Sequence, residues 1–177
     1  MSSYELFMKQ KNLFVNKLIQ YEPDILITFN PNNLNTINYS NWFMMFNPKC
    51  WGKYIKGFGV HYAFIYYKNS SSGREYIRLP VGVENPFVVD FRKQFETDVV
   101  SYIKQNDVKF GNCHLWPDVG FRNTKLIEPE LVELNDYSWE TSIDNYMMLK
   151  DFNNTVANLL KQYISKGCFI KNLYEPA

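Results

Sequence analysis

An alternating apolar segment followed by a polar turn constrains the fold of this 177-residue chain more than any other feature. From Phe58 to Lys68, aromatic and aliphatic side chains occupy both alternating faces, which predicts a β-strand at the centre of a sheet. Asn69 to Gly73 predict a turn, and Glu75 to Val81 predict the returning strand. The segment therefore predicts an antiparallel hairpin with a loop of about five or six residues. Because Pro80 cannot donate to a ladder, we expect that end of the hairpin at an edge or a bulge.

Three amphipathic helices are predicted outside the hairpin. The first spans Ser3 to Tyr21, and the second follows Asn85-Pro86. The third is a single long helix that Asp136 or Ser138 caps and Gly167 ends. The apolar stripes of these helices predict the following buried residues: Phe7, Phe14 and Leu18 in the first; Val88, Phe91, Phe95, Val99 and Tyr102 in the second; Ile143, Tyr146, Met147, Phe152, Val156, Leu159 and Tyr163 in the third.

The connecting segments are less regular. Ile25 to Phe29 predict a strand or a packed connector, and the asparagine-rich stretch from Asn30 to Asn41 predicts a loop. Trp42 to Phe46 form a dense cluster of aromatic and methionine side chains. Gly111 to Ile127 predict one or two further strands, interrupted at Pro117-Asp118.

These elements predict one α+β domain over residues 1–177, with an N-terminal helix at 3–21 and a sheet-and-helix core at 42–165. We expect a mainly antiparallel sheet with two or three helices packed on one face. The composition, 46% hydrophobic and 18% aromatic, is that of a folded protein. We expect no membrane span and no signal peptide, because charged residues interrupt every apolar stretch. Three cysteines without paired spacing favour a reduced, cytoplasmic protein.

The net charge of +1 conceals an uneven distribution of charge. From Pro31 to Val83 there are six basic residues and one acid, whereas from Glu84 onward fourteen acids outnumber ten basic residues. A basic segment interleaved with aromatic rings is typical of nucleic-acid binding, since cations neutralise phosphates and rings stack on bases. The predicted nucleic-acid-binding residues are Lys49, Trp51, Lys53, Tyr54, Lys56, Arg74 and Arg78, with Trp51 or Tyr54 stacking if exposed. The alternative is that the rings belong to the core and the cations to a solvated face.

No catalytic motif, metal site or cofactor motif stands out. His61 and His114 are the only histidines, and the cysteines supply no zinc-ligand spacing. We expect His61 to be a packed or hydrogen-bonded histidine. A nuclease of the PD-(D/E)XK type would need an acid before a strand that carries Asp/Glu-x-Lys. The one Asp-x-Lys triplet, at residues 107–109, precedes Pro117-Asp118 and follows only Pro23-Asp24, so the usual order fails. The sequence therefore favours a protein that is not an enzyme.

The order of features resembles a prokaryotic domain family of unknown function that mostly follows predicted restriction-type nuclease domains. The resemblance covers about residues 42 to 165. The matching positions are Trp51, Gly57, Gly59, His61, Tyr76 to Val81, the helix around Phe91 and Phe95, Leu115-Trp116, Asp136, Trp139 and Glu140. No nuclease module precedes these positions here, and the chain begins with its own helix. The resemblance implies an association with nucleic-acid defence systems.

The leading hypothesis is a non-enzymatic nucleic-acid-binding or accessory module of a defence or mobile-element system. The second is a protein-interaction module or inhibitor that meets a basic partner through its acidic C-terminal half. A homodimer formed through an exposed part of the Trp42–Phe46 cluster belongs to this second class. The third is a metal-dependent nuclease, which would require carboxylates that converge in space.

Overall fold

A computed structural model describes residues 1–29, 43–54, 60–78, 81–83, 89–107, 109–110, 113–114, 117–118, 132–167 and 174–177. The fold is α+β, as predicted. Its strands and helices, in chain order, are α1 (Ser3–Tyr21), β1 (Leu26–Phe29), β2 (Phe43–Asn47), β3 (Lys53–Tyr54), β4 (Val60–Lys68), β5 (Glu75–Arg78), β6 (Val81–Val83), α2 (Val89–Asn106), β7 (Lys109–Phe110), β8 (Cys113–His114), β9 (Pro117–Asp118), β10 (Val132–Glu133), α3 (Trp139–Met147), α4 (Lys150–Ser165) and β11 (Tyr174–Glu175). Short 3₁₀ turns at Lys49–Trp51 and Leu134–Asp136 join some of them.

Helix α1 has the predicted bounds, and a reciprocal cap fixes its start. The Ser2 backbone N–H donates to the Glu5 carboxylate at 2.8 Å, and the Glu5 N–H donates to the Ser2 hydroxyl at 3.1 Å. This capping box satisfies two N–H groups that the helix itself leaves without partners. The predicted apolar stripe, which includes Phe7, Phe14 and Leu18, is fully buried.

The main sheet is built around β4, which confirms its predicted central place. The strand order is β1-β2-β4-β5-β10, and every pair along this path is antiparallel. Strand β6 also pairs with β4, beside the end that β5 does not reach, and β9 runs parallel to β6. The described parts of the predicted returning strand, β5 and β6, pair with β4 in one register; residues 79–80, which include Pro80, lie outside the described residues. None of the described helices is both long and apolar enough to cross a membrane.

The predicted hairpin forms between β4 and β5. The Asn69 N–H donates to the Arg74 carbonyl at 2.9 Å and closes the loop. Inside it, the Asn69 side-chain oxygen accepts the backbone N–H groups of Ser71 and Ser72. Gly73 has φ +71°, a conformation that costs glycine little. The loop length and the turn chemistry are those the sequence predicts.

The helices contribute to one core against one face of the sheet. The sheet residues of this core include Met44, Phe46, Tyr62, Phe64 and Ile77. A second, smaller cluster on the other face joins Phe43, Met45 and Ala63. The residues from Phe43 to Phe46 are therefore buried and do not supply the exposed surface that the predicted homodimer contact needs. Trp42 and the predicted loop from Asn30 to Asn41 lie outside the described residues.

The predicted single C-terminal helix is in fact two helices, α3 and α4. Leu149 leaves the helical path and turns into the core, and its N–H donates to the Tyr146 carbonyl at 2.9 Å. Its neighbour Met148 is 79% exposed. Beside the break, the predicted Met147 is exposed, and further along α4 Leu160 is buried although it was not among the predicted residues. The other predicted residues of this stripe are buried, apart from Leu159, which is half-buried; they are Ile143, Tyr146, Phe152, Val156 and Tyr163.

Two further predictions concern the second helix and the strands after it. Helix α2 buries Phe95 and Val99 as expected. The side chains of Val88 and Phe91 lie outside the described part.

Pro117-Asp118 does not interrupt a strand but forms β9, where it pairs with Val81 and Gly82. Proline is tolerated there because a short strand at a sheet edge can do without its N–H.

Candidate functional site

The predicted nucleic-acid-binding residues do not form one patch. Lys49 follows β2, whose Phe46 pairs with Tyr62 near the start of β4. Arg74 precedes Glu75, which pairs with Lys68 at the other end of β4. Six residues of strand separate these positions, which corresponds to roughly 20 Å. Lys49 thus lies beside one end of the main sheet and Arg74 beside the other, while Lys53 lies in β3, which pairs with β11 in a separate sheet.

Trp51 was predicted to stack on a base only if its ring is exposed. It is fully buried, so it cannot take this role. Its ring packs on Tyr62 at a centroid distance of 4.9 Å, and its indole N–H donates to the Asn153 carbonyl at 2.9 Å. Burial of an indole with a satisfied N–H is a strong structural anchor. Trp51 therefore fixes the turn Lys49–Trp51 against α4.

The two described lysines beside Trp51 are exposed, and each lies near an acid. The Lys49 ammonium lies 3.8 Å from the Asp24 carboxylate, with both side chains about seven-tenths exposed (69% and 73%). Lys53 is the register partner of Glu175 in the pair β3–β11, so their Cα atoms are direct neighbours across the two strands. Exposed pairs of this kind contribute about 0–1 kcal/mol. They leave both lysines accessible to another anion.

Arg74 lies at the hairpin tip beside a network of acids. Its guanidinium is 3.6 Å from the Glu133 carboxylate. Next to it, the Glu75 carboxylate accepts the Tyr66 hydroxyl at 2.6 Å and the Ser3 hydroxyl at 2.8 Å. These hydrogen bonds lower the pKa of Glu75, while burial and Glu75 together raise the pKa of Tyr66 to about 12. The network ties α1 to the hairpin, which is a structural role.

Three predicted site residues are only partly within the described structure. The backbones of Tyr54 and Arg78 lie in β3 and β5, but their side chains are outside the described part. Lys56 lies outside it altogether. Their predicted roles stay predictions.

A buried polar network that the sequence analysis missed centres on Asn153 in α4. The Asn153 backbone carbonyl accepts from Trp51, and its side-chain oxygen accepts the Tyr62 hydroxyl at 2.5 Å. A side-chain hydrogen bond also joins Asn153 to Tyr146. The Tyr146 hydroxyl in turn donates to the two oxygens of Glu22 at 3.3 and 3.2 Å. The network runs from the sheet, through α4 and α3, to the residue that follows α1.

The network ends in a cleft of about 90 Å³. Its lining residues come from the end of α1, the turn after β2 and the helices α3 and α4: Tyr21, Glu22, Pro48, Cys50, Tyr146, Lys150, Asn153 and Asn154. Burial raises the pKa of the Glu22 carboxyl, and the nearby Asp24 charge adds to this effect. Burial also raises the pKa of Tyr146 well above its usual range. No sequence signal could have found the cleft, because its members are up to 133 positions apart.

The thiol in this cleft is not set up as a nucleophile. Burial and the Glu22 charge raise the pKa of Cys50, which favours the neutral thiol. The thiol points its hydrogen at the Asn153 carbonyl, 3.9 Å away. His61 on β4 is 5% exposed, as expected of a packed histidine.

Within the described residues, no group of three or more His, Cys, Asp or Glu side chains is placed to hold a metal ion. Asp24 is paired with Lys49, and Asp107 lies at the end of α2. The side chain of Asp118 lies outside the described part. The nuclease hypothesis therefore receives no support from the acids that are described, and it stays a prediction.

Comparison with known proteins gives no match: no family model, no curated protein and no solved structure aligns with this chain. The resemblance of residues 42–165 to the domain family behind restriction-type nucleases therefore remains a prediction.

Proposed function

We propose that this protein is a non-enzymatic nucleic-acid-binding or accessory module of a defence or mobile-element system. The observation that carries the proposal is the pair of exposed cations formed by Lys49, on the turn after β2, and Lys53, at the start of β3. The defence or mobile-element setting comes only from the resemblance of residues 42–165.

The turn that carries Lys49 is fixed from several sides. Trp51 anchors it to α4, and the Asn47 side-chain amide donates to the Gly52 carbonyl at 3.0 Å. Gly52 has φ +79°, where a residue with a Cβ would be strained. A fixed backbone presents the two ammonium groups with little ordering cost on binding. Lysine contacts to phosphate release counterions, which favours binding at low salt.

The proposal is tested by fluorescence anisotropy of labelled single- and double-stranded DNA and RNA across a salt series. Wild type is compared with the double variant Lys49→Ala/Lys53→Ala. If both lysines contact phosphate of duplex DNA, the slope of log K against log salt should fall by about 2. The matched control, Lys9→Ala/Lys17→Ala, removes two exposed cations from α1 and should leave the slope unchanged.

A third variant uses the acid beside Lys49. Asp24→Asn removes the carboxylate that competes with phosphate for this ammonium, so binding should strengthen. If both double variants lose the same affinity and the same salt dependence, only the net charge of the protein matters. That result would overturn the proposed contact face. Adding magnesium and following cleavage of the same labelled strands tests the nuclease hypothesis in parallel.

A second candidate function is a protein-interaction module, favoured by the break between α3 and α4. The break exposes Met148 at 79% and Met147 at 41%, and unbranched apolar side chains at a surface are typical of protein contacts. Exposed acids lie on both sides of it, at Asp144 and Asp151. If this surface binds a partner, Met147→Ser/Met148→Ser should lose the partner in a pull-down while keeping its fold. Sedimentation at several concentrations distinguishes a homodimer.

A further inference from the structure

The cleft at the end of the Asn153 network has the features of a binding site for a cation. We propose that it binds a single guanidinium or primary ammonium group, held by the Glu22 carboxylate and covered by the exposed ring of Tyr21. This site adjoins the turn that carries Lys49, but it does not depend on the phosphate contacts proposed above.

The carboxylate of Glu22 is only partly satisfied. Among the residues that the structure describes, its side-chain donor is the Tyr146 hydroxyl, at 3.2 and 3.3 Å, which is beyond the usual length of an O–H···O bond. Glu22 forms no ion pair with any residue that the structure describes. A half-buried carboxylate is normally matched by a cation or by several donors, because its desolvation is costly. A bound cation would supply the missing charge and two or three short hydrogen bonds.

The ring of Tyr21 completes the site. It lines the cleft and packs edge to face on the buried Tyr146 ring, with centroids 6.3 Å apart and an interplanar angle of 90°. The negative face of such a ring attracts a guanidinium or ammonium group within about 6 Å. The Tyr21 ring is 41% exposed, so it is accessible to a ligand that enters from solvent. A carboxylate beside tyrosine rings selects cations over anions and neutral groups.

The charges around the cleft are of both signs. Asp24 adds to the negative potential at Glu22, although it also pairs with Lys49. Lys150 lines the cleft from the start of α4, but its side chain is exposed and forms no ion pair with Glu22. Lys150 therefore opposes a bound cation, and its removal should strengthen binding.

The test is a titration of the folded protein with methylguanidinium chloride, in which ¹H–¹⁵N correlation spectra are recorded at each concentration. Sodium chloride at the same ionic strength is the reference. We expect saturable shifts confined to the residues around the cleft. Glu22→Gln keeps an acceptor for Tyr146 but loses the charge, and should weaken binding by at least about ten-fold. Glu140→Gln removes an exposed acid of α3 that does not line the cleft, and should change nothing.

Two more variants keep the proposal falsifiable if Glu22→Gln fails to fold. Tyr21→Ala removes an exposed ring and should weaken binding by about two- to five-fold. Lys150→Ala should strengthen binding by a similar factor. Shifts that do not saturate, or that are the same in wild type and Glu22→Gln, would overturn the proposed site.

The same titration distinguishes two sources of the cation. A short peptide with one central arginine is compared with methylguanidinium and butylammonium. Tighter binding of the peptide would identify an arginine or lysine of a protein partner as the ligand. Equal affinities would identify a free small amine.

Discussion

At the scale of single residues, Asn153 joins elements of the fold that lie far apart in the sequence. Its backbone carbonyl accepts from Trp51 and its side-chain oxygen accepts from Tyr62, so one residue of α4 holds both the lysine-bearing turn and the central strand. Each of these groups is buried. A buried donor that loses its acceptor costs about 1–3 kcal/mol, more than a satisfied hydrogen bond contributes.

Substitution of Asn153 should therefore reduce stability through Tyr62. In Asn153→Leu the Tyr62 hydroxyl loses this acceptor, and we expect the free energy of unfolding to fall by about 1–3 kcal/mol. Tyr62→Phe alone should cost about 1 kcal/mol, and the double variant should cost less than the sum. Urea unfolding at pH 7 measures all three values. The exposed neighbour Asn154→Ala is the control; strictly additive losses would contradict the coupling.

At the scale of secondary-structure elements, local sequence signals predict an element well where its own residues determine it. Helix α1 has a cap, an apolar stripe and a proline just after its end, and the structure gives it the predicted bounds. The hairpin has alternation and a glycine turn, and it forms as expected. The break between α3 and α4 has no such signal, because apolar spacing continues across residues 148–149 and only packing selects Leu149 as the inward residue.

The hairpin turn gives a prediction at this scale. Gly73 has φ +71°, and a Cβ added there would meet nothing within 4 Å. Gly73→Ala should therefore lower the free energy of unfolding through backbone strain alone, by about 1 kcal/mol. Gly73→Asn should cost less, since asparagine tolerates this conformation better. Thermal and urea unfolding measure the difference, and equal costs for the two variants would contradict a backbone origin.

The candidate site was less predictable than the fold. Sequence reasoning identified Lys49 and Lys53 as a cationic surface, and both are exposed. It left both a core position and a stacking role open for Trp51, because an indole beside lysines is typical of either, and the structure gives the core position. It missed the Glu22 cleft because Glu22 and Tyr146 are 124 residues apart and only the packing of α1 on α3 joins them.

At the scale of the whole molecule, Lys11 stands out as a cation inside the helix-and-sheet core. It lies on the inner side of α1 and is 1% exposed. Burial lowers its pKa from 10.5 to about 8. The unfolded chain therefore binds more protons than the folded protein between these two pH values. The free energy of unfolding should rise with pH above about 8, by at most about 1.4 kcal/mol per pH unit from this group.

Lys11→Met tests this prediction because it keeps the length of the side chain and removes the titrating group. Urea unfolding of both proteins from pH 7 to 9.5 gives the comparison. We expect Lys11→Met to have a larger free energy of unfolding than wild type at pH 7. This difference in free energy should shrink above pH 8. Other titrating groups, including Cys50, are common to both proteins and cancel in the difference. A gap that is constant with pH would contradict a lowered pKa of Lys11.

The contact between Tyr146 and Glu22 also governs the order in which the chain can fold. Helix α1 can meet β2 and β4 as soon as the first half of the chain is present, through ring contacts such as Phe14 with Phe46 and Phe64. Its packing on α3 has to wait until residue 147 has been synthesised. A nascent chain therefore carries an incompletely covered helix during most of its translation, and closing so long a loop makes the last step of folding slow. During that interval the exposed side of α1 is the part of the molecule most open to chaperones and to aggregation.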